Sequence, residues 1–196
     1  MTEPAKTLAS NGVKLSLVIP TPKDPKDIGN LVTAISEVLN QSFHGKYEII
    51  LVSGDPTSLS AASGVAGTNA SLRVVHDTEG RPIEAGWHEA RGDILATIDG
   101  NQTELTKTLS ELVDQLNKGS DLTVCTRYGS KKAGDGVSAT CFAIKKAHLP
   151  DLEESTEGYQ LILEMLGPAA VKKLMERKDQ PSVWTHFVDP KDSGKK

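Results

Sequence analysis

Ala90-Arg91-Gly92-Asp93-Ile94-Leu95-Ala96-Thr97-Ile98-Asp99-Gly100-Asn101 is the stretch on which the reading of the fold turns. It reads as a helix end, a turn, a short buried strand and then an abrupt polar loop. Arg91 and Gly92 are expected to stop a helix, Gly92 serving as a C-terminal cap in the left-handed conformation that glycine adopts cheaply. Ile94, Leu95 and Ile98 form an apolar run of strand length. In an open α/β sheet the carboxyl ends of the strands border the ligand crevice. Asp99 and Asn101 leave the strand at that edge, where their oxygens are available to a metal or a ligand hydroxyl. Asp, Gly and Asn equally favour a plain turn, so the residues alone leave both readings open.

Outward from this stretch the same unit repeats. Lys14 to Ile19 reads as a first strand, ended by Pro20, Pro22 and Pro25. Asp24 suits a helix N-cap, with Pro25 preset for the first helical position and Asp27 placed at the positive end. Ile28, Leu31, Val32, Ile35, Val38 and Leu39 fall on one face at helical spacing. Tyr47 to Val52 is an almost continuous apolar strand, as in a parallel sheet covered on both sides. Ser53-Gly54-Asp55-Pro56 turns into a short helix from Thr57 or Ser58, which Gly64 and Gly67 weaken. Leu72 to Val75 is a third strand, and Pro82 opens a helix carrying Ile83, Trp87 and Ala90 along one side. After the strand that ends at Asp99, Leu105, Leu109, Leu112, Val113 and Leu116 mark another amphipathic helix. Strand-helix repetition with short links argues a doubly wound, mostly parallel α/β sheet in one domain. Leu17, Ile19, Ile49, Leu51, Val74, Ile94, Ala96 and Val124 are expected in its core.

Beyond Gly119 the rhythm changes. Leu122 to Thr126 and Thr140 to Ile144 read as strands around a flexible Gly129 to Gly136 loop. Helices are expected over Thr156 to Leu166 and from Pro168 to about Arg177, with a last strand from Val183 to Val188. The domain is expected over 13–188, between a flexible arm at 1–12 and a charged tail at 189–196.

Composition narrows the function classes. Charged residues are 24% and hydrophobic residues 37% of the 196, which fits a soluble globular chain. A net charge of −4 gives no electrostatic case for nucleic acid. No apolar run approaches the roughly 20 residues of a membrane-spanning helix. The first residues lack a signal peptide's apolar core. Cys125 and Cys141 read as buried reduced thiols, so a cytoplasmic location is expected. No Gly-x-Gly-x-x-Gly follows the first strand, and no His-x-x-x-His spacing offers a metal site. Ser53 lacks a visible His/Asp pair to make it a nucleophile.

Leu15-Ser-Leu-Val-Ile-Pro-Thr, Ile28-Gly-Asn-Leu and Tyr47-Glu-Ile-Ile-Leu-Val resemble the opening of family 2 glycosyltransferases, nearest in pattern to dolichol- or polyprenyl-phosphate mannose synthases. Ala85-Gly-Trp-His-Glu-Ala-Arg-Gly-Asp-Ile, followed by Asp99, resembles the approach to that family's metal-binding Asp-x-Asp. Cys141-Phe-Ala-Ile-Lys-Lys and Glu157-Gly-Tyr-Gln-Leu-Ile-Leu-Glu-Met-Leu resemble its later strand and helix. The resemblance implies a GT-A fold, a three-layer α/β/α sandwich that binds a nucleotide-sugar, UDP- or GDP-linked. It implies Mg²⁺ or Mn²⁺ at Asp99 and Asn101, since hard oxygen ligands suit those ions. It further implies donor contacts at Asp24, Asp55, Asp99 and Arg127. Loop lysines Lys131 and Lys132 stand where an acceptor phosphate would be held.

The chain also departs from the resembled pattern. The strand-two Asp-Asp pair is Ser53-Gly54, with Asp55 one position late. Asp-x-Asp is Asp99-Gly100-Asn101, which keeps a carbonyl ligand and loses one negative charge, weakening a hard-cation site. The general-base Asp of inverting relatives falls at Gly158, beside Glu157. The implied activity is transfer of a sugar from a nucleotide-diphosphate donor to an acceptor that the residues do not identify. The alternative class is a GT-A-like module without catalysis, binding a nucleotide-sugar or a protein partner.

Overall fold

A computed structural model describes residues 12–22, 24–98, 100, 105–120, 122–127, 137–148 and 183–188. Their elements run β1 (Leu15–Pro20), α1 (Ile28–Phe43), β2 (Tyr47–Ser53), α2 (Pro56–Ala66), β3 (Leu72–His76), α3 (Pro82–His88), β4 (Ile94–Thr97), α4 (Leu105–Asn117), β5 (Leu122–Arg127), β6 (Val137–Lys145) and β7 (Val183–Val188). The expected helices at 156–166 and 168–177, the loop at 129–136 and the two termini lie outside the described residues.

These strands form one sheet in the order β3-β2-β1-β4-β6-β5-β7. β3, β2, β1 and β4 run parallel, β6 is antiparallel to both neighbours, and β5 pairs parallel with β7. The mostly parallel, doubly wound architecture follows from three crossovers. From β1 the chain moves outward through α1 and α2 to β3, then returns through α3 to place β4 on the other side of β1. The order reverses between β1 and β4, so the loops after these two strands leave the same carboxyl edge side by side; in open α/β sheets ligands bind outside that edge.

Alternation along the strands assigns the two faces. Leu15, Leu17 and Ile19 of β1, with Ile49 and Leu51 of β2, join Val32, Ile35 and Leu39 of α1 and Leu109, Leu112 and Leu116 of α4 in one buried cluster. Successive strand side chains point to opposite faces, so Ser16, Val18, Ile50 and Val52 face the other side. There α3 lies flat, close enough that a Cβ on Gly86 would fall 2.4 Å from a Val18 methyl carbon. Val74 and Ile94, expected in the core, are half-buried and packed against it. Val74 lies on the edge strand β3, and Ile94 opens β4 at its amino end. Of Val124 only the backbone pairing within β5 is described.

Gly92 corrects the expected cap. α3 ends at His88, and Gly92 is absent from the left-handed glycines. Its role is space: a Cβ there would stand 2.6 Å from the Ser16 amide nitrogen and 2.8 Å from the Leu15 carbonyl carbon. The turn into β4 therefore presses on the β1 backbone. The Gly92 N–H donates to Ser16 Oγ (2.8 Å) and the Arg91 N–H to Glu48 Oε1 (2.8 Å). Ser16 Oγ donates to the same Glu48 oxygen (2.7 Å), while Arg73 Nη1 reaches Glu48 Oε2 (3.2 Å) and the Glu89 carbonyl (2.7 Å). A buried carboxylate is costly without such partners. Glu48, 4% exposed, has them from β1, β3 and the turn before β4.

Candidate functional site

The loops after β1, β2, β3 and β4 all open on the carboxyl edge of the sheet, and backbone hydrogen bonds extend the pairing into them. Thr21 N–H donates to the Val52 carbonyl (2.9 Å), Asp77 N–H to Ser53 (3.0 Å) and Ile98 N–H to Val18 (3.3 Å). Gly54 lies against the β3 loop, since a Cβ on it would be 2.9 Å from the Asp77 carbonyl. Gly100 packs on the end of β1: its Cβ would sit 3.2 Å from the Pro20 carbonyl and 3.3 Å from side-chain carbons of Ile19 and Leu31. Gly100 is thus drawn to the end of β1, where a missing side chain allows close approach.

Asp24 caps the 3₁₀ turn Pro25–Asp27, its Oδ1 accepting from the Lys26 N–H at 3.0 Å, and its side chain is exposed. Asp55 caps α2, which starts at Pro56, ahead of the expected beginning at Thr57 or Ser58. Its Oδ2 accepts from the Ser58 N–H at 2.7 Å, and its own N–H donates to Ser53 Oγ at 3.1 Å. Donation from the Ser58 N–H, then from the Ser58 hydroxyl, holds the Asp55 carboxyl below its ordinary value. Asp55 is therefore an exposed, ionised acceptor after β2.

Asp99 and Asn101 lie outside the described residues, as do Lys131, Lys132, Glu157 and Gly158. Arg127 is the last residue of β5, and only its backbone, paired with Val188, is described. The strand directions place that end on the same sheet edge as the ends of β1 and β4. Among the described residues, no three His, Cys, Asp or Glu side chains gather as a metal site. Asp24 and Asp55 occupy separate loops, each engaged at a helix start.

Two features of this edge carry no local sequence signal. A pocket of about 290 Å³ opens beside the end of β3, bordered by His76, Asp77, Glu79, Arg81, Glu84 and His88. Arg81 pairs with Glu79 and Glu84, Glu79 foremost, and both keep its guanidinium firmly protonated. Three carboxylates against one guanidinium suit hydroxyl and amino donors better than a phosphate. Trp87, on the sheet side of α3, donates its indole N–H to Thr97 Oγ1 at 3.1 Å. Both are buried, at 2% and 0% exposure, and Phe142 meets the indole edge-on at 5.3 Å.

Comparison with known proteins places these features in context. Residues 16–161 match the model of a family described as Glycosyl transferase family 2. A dodecaprenyl-phosphate galacturonate synthase of Rhizobium johnstonii is 30% identical over 127 residues, 61% of this chain and 37% of that protein. The chain thus matches little more than a third of that relative's length. A mannosyltransferase of Pyrobaculum calidifontis, solved with GDP-Man and Mn²⁺, superposes with a TM-score of 0.57 at 16% identity, over 90% of this chain and 56% of that one. Glucosyl-3-phosphoglycerate synthase of Mycobacterium tuberculosis, solved with Mn²⁺, UDP and phosphoglyceric acid, gives 0.56 at 15% identity, over 91% and 69%. At such identities the two structures speak to the fold, which is GT-A.

Proposed function

The chain belongs to glycosyl transferase family 2, and from that premise we propose that it transfers a sugar from a nucleotide-diphosphate donor to an acceptor with help from a divalent cation. The observation that carries the reading is the seat of Gly100 against Pro20 and Ile19, which holds the chain just after β4 at the end of β1, on the carboxyl edge of the sheet. On this reading Asp99 and Asn101 hold Mg²⁺ or Mn²⁺ through a carboxylate and an amide carbonyl, a hard-oxygen set that matches those ions. The ion, when bound, neutralises charge on the departing nucleoside diphosphate. Asp55 and Asp24 offer exposed carboxylates to hydroxyls of the nucleoside, and Arg127 offers a guanidinium to a phosphate. The acid-rich pocket beside β3 is suited to hydroxyl-bearing parts of the donor and not to its diphosphate.

The name of the Rhizobium relative supports a polyprenyl phosphate as the first acceptor to assay. Among the described residues no helix is long and apolar enough to cross a membrane. A thermal-shift panel of UDP- and GDP-linked sugars, each with and without Mn²⁺, tests the reading without knowledge of the acceptor. Ligands that bind the folded state raise the melting temperature by mass action. At least one donor is expected to stabilise the protein more with Mn²⁺ than without. Absence of any shift across the panel would contradict the proposal.

A further inference from the structure

Asp77 follows β3 directly and is only 7% exposed, in the wall of the pocket of about 290 Å³ beside that strand. Its backbone is fixed to the end of β2: the Asp77 N–H donates to the Ser53 carbonyl at 3.0 Å, and Gly54 leaves room for the Asp77 carbonyl. Its Oδ1 accepts from the Glu79 N–H at 3.0 Å. No described donor or cation is paired with Oδ2. Every fully enclosed side-chain oxygen among the described residues has a partner, so Oδ2 is an accessible acceptor on a residue that lines the pocket.

A turn explains only half of this group. Asp and Asn close such a turn equally well, so the Oδ1 bond does not call for a charge. A carboxylate buried to this degree with an open oxygen is costly unless something bonds to it. Its neighbours narrow what that is. Arg81 is engaged by Glu79 and Glu84 and leaves Asp77 alone. The carboxylates repel a phosphate, and no three His, Cys, Asp or Glu side chains among the described residues gather around a metal ion. Small-molecule pockets start at about 300 Å³, so this one has room for a single ring system and not for a whole nucleotide-sugar. A nucleoside brings N–H donors on its base and hydroxyls on its ribose. Guanine carries a ring N–H and an exocyclic amine side by side, a donor pair matched to the two oxygens of a carboxylate. Uracil has one ring N–H between two carbonyls, so a carboxylate that approaches it sets oxygen against oxygen.

We infer that Asp77 selects the base of the donor: its carboxylate accepts from the ring N–H and the exocyclic amine of a guanine held in the pocket beside β3, so that the chain takes GDP-linked sugars in preference to UDP-linked ones. The inference rests on the reading of the chain as a binder of nucleotide-diphosphate sugars. It needs no metal, because the base and the diphosphate are separate parts of the ligand.

The test measures the affinity of wild type and Asp77→Asn for GDP, inosine diphosphate, xanthosine diphosphate and UDP by equilibrium dialysis, with and without Mn²⁺. Wild type is expected to bind GDP about tenfold or more tighter than UDP, and tighter by a similar factor than inosine diphosphate, which lacks the exocyclic amine; that is the worth of one hydrogen bond to a charged group. Asp77→Asn keeps the turn, so it should melt near the wild-type temperature. It should lose about tenfold in GDP affinity and gain xanthosine diphosphate, whose carbonyl in place of the amine accepts from the new amide. A structural role alone would not reverse that preference. The wild-type comparison of GDP, inosine diphosphate and UDP stands whether or not the variant folds. UDP or inosine diphosphate bound by wild type as tightly as GDP would overturn the inference and leave the nucleotide-sugar reading intact. So would an Asp77→Asn variant with the wild-type order of affinities, or with equal losses for all four nucleotides. No binding of any nucleotide to the wild type, with or without Mn²⁺, would overturn both.

Discussion

Replacing Gly92 by Ala and by Asn separates two physical reasons for a glycine before β4. Were Gly92 a left-handed cap, Ala would cost about 1 kcal/mol and Asn, which tolerates that conformation, less. The observed contacts give a different sum. A Cβ at Gly92 meets backbone atoms, Ser16 N at 2.6 Å and Leu15 C at 2.8 Å, which cannot rotate away as a side chain can. Overpacking of this kind costs about 2 kcal/mol. Pushing the turn off β1 also stretches the Gly92–Ser16 and Arg91–Glu48 hydrogen bonds, each contributing about 1 kcal/mol net. Gly92→Ala is therefore expected to lose about 4 kcal/mol, a large part of a typical domain's stability. Asn, being larger, should lose at least as much. Urea denaturation of the three proteins, read by far-ultraviolet circular dichroism, measures the differences directly. A loss of about 1 kcal/mol or less in Gly92→Ala, or an Asn variant more stable than the Ala variant, would refute the close-approach account.

Other consequences can be checked alongside. Leu51→Ala, at a fully buried site, should cost about 2–5 kcal/mol in the same denaturation assay, and Ile94→Ala, half-buried, measurably less. Glu48→Ala should cost about 3 kcal/mol, since it strips partners from Ser16, Arg73 and the turn amide, whereas Glu48→Gln should be milder. Asp55 is held below its ordinary value of 3.8, so its contribution to stability is fully present above that pH and is lost as pH falls through the lower folded-state value. Its carboxyl resonance should accordingly titrate below 3.8, and Asp55→Asn should remove that component of acid destabilisation.

Elements with strong local periodicity were legible in the chain. The spacing of Ile28, Val32, Ile35 and Leu39 marked α1, and the apolar run from Tyr47 marked β2, because burial of a face imposes its period directly on sequence. Asp24 was legible twice over, as a helix cap and as a site position implied by family resemblance, whereas Asp55 was legible only as a turn residue and an implied site position; in the structure both are caps. What escaped was non-local. The bonds from Ser16, Arg73 and Arg91 to Glu48 span 25 to 43 residues in sequence, and no spacing rule links such partners. Gly92 was misassigned because a glycine required for space and one required for its backbone angle look identical in sequence. Trp87 was readable as core, but its bond to Thr97 depends on α3 lying across β1 and β2 with Trp87 in reach of the end of β4, which is set by topology. Asp99 and Asn101, on which the proposed chemistry rests, lie outside the described residues, and only their order in the chain and the seat of Gly100 speak for them.

The central claim is that the loop after β4 binds a nucleotide-sugar through a divalent cation. Calorimetric titration of wild type, Asp99→Ala and Asn101→Asp with UDP- and GDP-linked sugars, each with and without Mn²⁺, tests it most directly. The wild type presents one carboxylate where an Asp-x-Asp presents two, so it should take the ion weakly alone and more firmly when diphosphate oxygens complete the shell. Asn101→Asp should strengthen the Mn²⁺-dependent component, and Asp99→Ala should abolish it. Nucleotide-sugar binding that Mn²⁺ alters in none of the three proteins would contradict the claim and return Asp99 to the role of a turn residue.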